Sequence, residues 1–151
     1  MKKDSLKLKG RFTMQCLDKV TGKVLYEYVD DNLVVDLGRH ATVLLLGGDP
    51  SAAAVTQIGV GTNNTAPTNA DTTLTGLFIK ALNTGSTVNT YTTNTVTFGY
   101  QIDTTEANGM TIWEFGLFTA SSVLVAHKVL SASIIKNSSF AIAGTWTLTV
   151  S

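Results

Sequence analysis

The sequence predicts a mainly-β fold, an antiparallel β-sandwich carrying one α-helix. Three observations predict it. Long stretches alternate apolar and polar residues with the period of two that sends successive side chains to opposite faces of a strand. Glycine, asparagine and threonine punctuate those stretches at short intervals, as a chain that keeps reversing requires. Only one stretch, close to residue 40, repeats its apolar residues with helical spacing. A chain of 151 residues fits one domain around one core.

Lys7 to Leu17 alternates so that Phe12, Met14 and Cys16 share one face and Arg11, Thr13 and Gln15 the other, which predicts a half-buried strand. Asp18 to Lys23, with Asp18 and Gly22, has the residues of a turn and leads into a second strand over Val24 to Tyr28. The expected product is an N-terminal hairpin over about residues 6–28, ended by Asp30-Asp31-Asn32.

Leu37, Ala41, Leu44 and Leu45 then form a stripe along one side of three turns, predicting a helix over about 37–46 with Asp36 as N-cap. Gly47-Gly48 and Pro50 stop it, because glycine accepts the left-handed cap and proline cannot continue a helix. Thr56 to Val60 predicts a short strand, followed by a surface loop of small residues through Thr68. Leu74, Leu77, Ile79 and Leu82 suggest a further strand with a loose start.

A long strand is expected from Tyr91 to Ile102 with Val96, Phe98, Tyr100 and Ile102 inward, because β-branched threonine favours strands. Ile112 to Phe118 offers apolar residues on both faces, as a central strand does, and Gly116 among large residues suggests close approach by a neighbour. Val123 to Val129 predicts the next strand. The last has Phe140, Ile142, Gly144, Trp146, Leu148 and Val150 inside and small uncharged residues outside; as an edge it would need cover.

Lys and Arg balance Asp and Glu at eleven each, and charged residues make up only 15% of the chain. That balance gives no reason to expect a nucleic acid or membrane partner. Such low charge beside 44% hydrophobic residues gives little electrostatic protection against self-association, so copies of the chain or other proteins are expected to cover its surface. Cys16 is the lone cysteine, so no disulfide forms within the chain. No secretion signal follows the basic start, and no apolar run reaches membrane-spanning length.

Catalytic, cofactor and metal sites are not expected. Gly59-Val60-Gly61 lacks the third glycine and the following helix of a dinucleotide loop. His40 and His127 lie on different elements without metal-ligand spacing, and read as solvated or structural. Asp103, Glu106 and Glu114 have no spacing that pairs them, and Glu114, flanked by Trp113 and Phe115, reads as held near the core by a salt bridge or hydrogen bond. Cys16 on an alternating strand is no nucleophile. Trp113 and Trp146 fall on core-patterned strands and read as packing residues rather than sugar platforms. Asn63-Asn64-Thr65 and Asn137-Ser138-Ser139 match the glycosylation sequon, which carries little weight without a secretion signal.

A series of short motifs runs along the chain. Asn32-Leu33-Val34-Val35-Asp36-Leu37-Gly38 precedes a helix ending in Gly47-Gly48. Ile58-Gly59-Val60-Gly61-Thr62, Ala66-Pro67-Thr68 and Asp71-Thr72-Thr73-Leu74 follow. Ile112-Trp113-Glu114-Phe115-Gly116-Leu117-Phe118, a return strand with Ala126, and Lys136 complete the series. In this order they resemble the attachment (tail-collar) domains of tailed-bacteriophage tail fibre proteins and a group of small phage virion proteins. The resemblance covers roughly Asn32 to Ser151. It implies a non-enzymatic structural component of a virion, made in the bacterial cytoplasm: a tail or collar adaptor or fibre-attachment subunit that assembles with copies of itself and other virion proteins. A capsid decoration or head-fibre base protein is the alternative. A glycan-binding module using Tyr91 and Tyr100 is the competing class. Expected contact surfaces are the Gly61 to Thr73 loop, the Thr84 to Thr97 segment and the N-terminal hairpin, which lies outside the resemblance and is expected to pair with a neighbouring subunit or complete the sheet.

Overall fold

A computed structural model describes residues 5–82 and 88–151 of the chain. The elements are β1 (Leu8–Asp18), β2 (Val24–Val34), α1 (Asp36–Gly47), β3 (Val55–Gly61), β4 (Phe78–Ala81), β5 (Thr90–Tyr91), β6 (Thr95–Ile102), β7 (Thr111–Thr119), β8 (Leu124–Ile135) and β9 (Phe140–Val150). The fold is mainly β with one helix, and every strand pairing is antiparallel.

The strands form one sheet in the order β4-β3-β7-β8-β2-β1-β9-β6-β5. The expected mainly-β class with one helix holds; the layers of the expected β-sandwich are parts of a single sheet that curls over, with β2 as the shared strand. Its long first part pairs with β1, and only Leu33 and Val34 reach β8. The halves meet face to face through aromatic rings: the ring centroids of Phe12 of β1 and Tyr100 of β6 lie 4.9 and 6.1 Å from that of Phe115 of β7. The inward residues expected on β1, β6 and β9 populate this core, with Phe12, Met14, Ile102, Ile142 and Trp146 fully buried. The hairpin therefore completes the sheet, as one of the two expectations held.

Four expectations change. Asp30-Asp31-Asn32 does not end the second strand, which runs through to Val34. The two aspartates are answered by distant residues, Arg11 pairing with Asp31 and Lys128 with Asp30, whereas the Asn32 amide lies over the bare backbone of Gly10, buried without a hydrogen-bond partner. The strand expected from Tyr91 is a hairpin, because a turn at 92–95, closed by the Thr92 amide donating to the Thr95 carbonyl and by the Thr95 amide donating to the Thr92 hydroxyl, separates β5 from β6. The final strand is not an edge, since β9 lies between β1 and β6. Its outward threonines are matched across the strands, Thr145 with Thr13 and Thr147 with Thr97.

The helix is the fourth. Val35, not Asp36, is the N-cap, and no side chain caps it; the Asp36 amide instead donates to the Asn69 carbonyl. Asp36 opens the first turn, where its charge favours the helix dipole. Gly48 closes the helix at φ 64°, the left-handed conformation that the Gly-Gly stop implied. The expected apolar stripe, however, is not buried as a stripe. Gly38 is the only buried residue of α1, pressed so closely on β8 that a Cβ there would lie 2.1 Å from the Val125 carbonyl oxygen. Val43, Leu45 and Leu46 stay exposed, at 63%, 48% and 76% of their surface. Gly38→Ala should therefore undock α1 and cost about 2–3 kcal/mol, readable as a lowered urea midpoint.

Candidate functional site

The most concentrated polar chemistry lies inside the β3-β7-β8 half. Glu114 points from the centre of β7 and His127 from β8, both buried, and Asp71 reaches them from the loop between β3 and β4. His127 Nδ1 is 2.8 Å from an Asp71 carboxylate oxygen, and Nε2 is 2.9 Å from one of Glu114. An ionised carboxylate can only accept, so when both carboxyls are ionised the ring donates from both nitrogens, as an imidazolium does. The other Glu114 oxygen accepts the amides of Thr75, at 2.7 Å, and Asn63, at 3.2 Å. Thr68 donates its amide and hydroxyl to Asp71. Gly61 leaves room for the carboxylate, since a Cβ there would sit 2.4 Å from Glu114 Oε1. The cluster thus ties both ends and the middle of the 62–75 loop to the sheet.

Burial opposes the charged form of His127, but the hydrogen bonds and charges of Glu114 and Asp71 outweigh it and raise its pKa above the ordinary value of 6.5. A raised folded-state pKa means that this stabilisation is complete below pH 6.5 and fades as pH climbs through the raised value. The urea midpoint should fall on titration from pH 6 toward 9, and the slope should flatten in His127→Gln. A midpoint indifferent to pH over that range would contradict an imidazolium at this site. Burial also works against the Asp71 carboxylate, yet the bonds from Thr68 and His127 hold its pKa below the ordinary value, so its contribution is lost as pH falls.

With both ring nitrogens committed to carboxylates, His127 has none free to exchange a proton with a substrate. Asp103 and Glu106 converge away from it on Lys80, whose ammonium lies 2.7 Å from one Glu106 oxygen and 3.7 Å from Asp103. That ammonium offsets one of the two negative charges and ties the loop after β6 to β4. Lys136, fully buried, donates to the Asn108 side chain and the Asn137 carbonyl and lies over the Phe140 ring; burial pushes its pKa down. Each cluster joins a loop to the sheet.

The other candidates fall into place around this frame. Gly59-Val60-Gly61 lies within β3 and holds no loop open for a phosphate. His40 is exposed on α1. Cys16 is buried, and burial pushes its thiol up to about 11, which keeps it protonated at neutral pH. Trp146 is fully buried and Trp113 half-buried. Tyr100 is buried with its hydroxyl donating to the Thr13 carbonyl, whereas Tyr91 is 73% exposed. Part of the Thr84 to Thr97 segment lies outside the described residues.

Two apolar surfaces remain. Beside α1 a groove of about 620 Å³ opens between the helix and the ends of β6 and β9, lined by Ala41, Leu45, Val55, Phe98 and Leu148 with a threonine and asparagine rim. No charged side chain lines it among the described residues. At the far end of the sheet the β1–β2 turn projects with Val20 at 91% exposure, and Val24 and Leu25 beside it are half exposed. Sequence reasoning missed the groove, because its walls come from eight elements.

Together these features define a mainly-β protein with one docked helix, whose buried charges hold loops and whose exposed apolar side chains include those of α1 and of the β1–β2 turn. Comparison with known proteins finds no matching family model, no matching curated protein and no matching solved structure. Among the described residues no helix is long and apolar enough to cross a membrane.

Proposed function

We propose that the protein is a non-enzymatic structural subunit of a tailed-bacteriophage particle, a tail or collar adaptor or fibre-attachment subunit that acts by assembling with copies of itself and with other virion proteins. The observation that carries the assembly part of this reading is α1. A helix with leucine and valine on several sides is normally buried, and this one leaves Val43, Leu45 and Leu46 to solvent. In a chain of zero net charge such surface favours association, gaining roughly 25 cal/mol per Å² of apolar area covered, less the cost of ordering. The resemblance of the ordered motifs to those of tail-collar domains directs the reading to phage particles. The same surfaces would serve a capsid decoration or head-fibre base protein.

Light scattering of the purified protein over a hundredfold range of concentration tests this. The expected mass is that of a defined oligomer, a trimer or larger ring. A mass of one chain at every concentration would overturn the reading. One observation favours glycan binding as a second reading: Tyr91 is exposed beside a groove rimmed by threonine and asparagine. In that case a glycan screen should return ligands that Tyr91→Ala loses, whereas assembly alone predicts none.

A further inference from the structure

We propose that the chain assembles head to tail, the tip of the β1–β2 hairpin of one copy seating in the uncharged groove beside α1 of the next. This rests on the reading that the protein associates with itself, and it names the two surfaces and their pairing. The surfaces lie at opposite ends of one strand: Leu8 of β1 lines the groove, and Asp18 of β1 begins the turn. Eleven residues of strand at about 3.3 Å each separate them by about 35 Å.

Their shapes and polarities are complementary. The groove is concave and has no charged lining residue among those described; the tip is convex and presents Val20, the most exposed large apolar side chain among them. The tip is also rigid before it binds. Asp18 accepts the amides of Val20 and Thr21 and the Thr21 hydroxyl, and Gly22 takes the positive φ of 68° that closes the turn. A preordered tip loses little freedom on docking.

Charge sets the direction. The C-terminal end of α1 carries the partial negative charge of its free carbonyls, and its last turn has no basic residue. Asp49 follows directly, its pKa lowered by the hydrogen bonds from Ser51, so it stays ionised. The tip brings Lys19 and Lys23, and neither is in an ion pair among the described residues. In the head-to-tail arrangement the tip and the groove of one copy engage two different neighbours rather than one reciprocal partner. Repetition of the contact therefore yields a closed ring or a filament.

The test uses two variants that each spoil one surface. Val20→Asp breaks the tip and Leu45→Glu the groove; should Leu45→Glu fail to fold, Asp49→Arg, just past the end of α1, takes its place. Each variant alone should dissociate at concentrations at least tenfold above those that dissociate the unaltered chain. Mixed in equal amounts, the two should give the mass of two chains, since each supplies the surface the other lacks. If the unaltered chain is monomeric at all concentrations, self-assembly itself falls and this inference with it. If it is oligomeric and Val20→Asp leaves its mass unchanged, self-assembly stands and head-to-tail pairing is overturned. A mixture that stays at the mass of one chain also overturns it.

Discussion

His127→Ala is expected to destabilise the protein by about 3–5 kcal/mol, the usual cost of removing one member of a buried ion pair and leaving the other charged. Glu114 loses the partner that faces it at 2.9 Å and remains 1% exposed. Asp71 loses its bond as well, but with a quarter of its side chain at the surface it can turn to water. Asp71→Asn should therefore cost much less and act locally, loosening the 62–75 loop while β7 and β8 stay paired. Urea unfolding separates the two variants by midpoint. Amide exchange locates the difference, because the Thr75 and Asn63 amides stay bound to Glu114 in Asp71→Asn and lose protection in His127→Ala. Equal midpoints for both variants would show that the histidine is not the centre of the cluster.

Gly144→Val should cost about 3 kcal/mol from overpacking, and about 1 kcal/mol more from a lost hydrogen bond. Gly144 lies between Met14 of β1 and Tyr100 of β6 in the sheet. Tyr100 reaches past it, its hydroxyl donating to the Thr13 carbonyl at 2.8 Å. A Cβ on Gly144 would stand 2.0 Å from that carbonyl oxygen and 2.7 Å from the tyrosine hydroxyl, so backbone and ring would both have to move. Tyr100→Phe removes only the hydrogen bond and should cost about 1 kcal/mol. Thermal unfolding of the two variants checks the ratio; a valine no worse than the phenylalanine would mean that the notch at Gly144 is not needed.

Much of the fold was legible because burial imposes a period. Phe140 to Val150 and Arg11 to Cys16 alternate strictly, and each proved to be a strand with the expected face inward. Gly48 marked the helix end because only a left-handed cap fits there. What was not legible depends on partners far along the chain. Asp30 and Asp31 look like a break until Lys128, 98 residues on from Asp30, and Arg11 are placed beside them. The helical stripe was read correctly as a helix, but nothing local says that Gly38, rather than the leucines, would meet the sheet.

The candidate site was half visible. Glu114 between Trp113 and Phe115 signals a carboxylate that needs a partner, and His127 between Ala126 and Lys128 is a polar residue on a strand of buried neighbours. Their pairing was not visible, because 13 residues separate them and Asp71 lies a further 43 before Glu114, and only the curl of the sheet brings all three together. The groove had no signal of its own beyond low charge, and the hairpin was expected as a contact surface without Val20 standing out.

The central claim, that this chain works through the surfaces at its two ends, is tested most directly by hydrogen–deuterium exchange at low and high protein concentration. The account predicts added protection at high concentration confined to residues 18–25 of the hairpin and 41–55 of the helix and the stretch that follows it, with the His127 cluster unchanged. Exchange that is identical at both concentrations, or protection gained only elsewhere on the sheet, would contradict it.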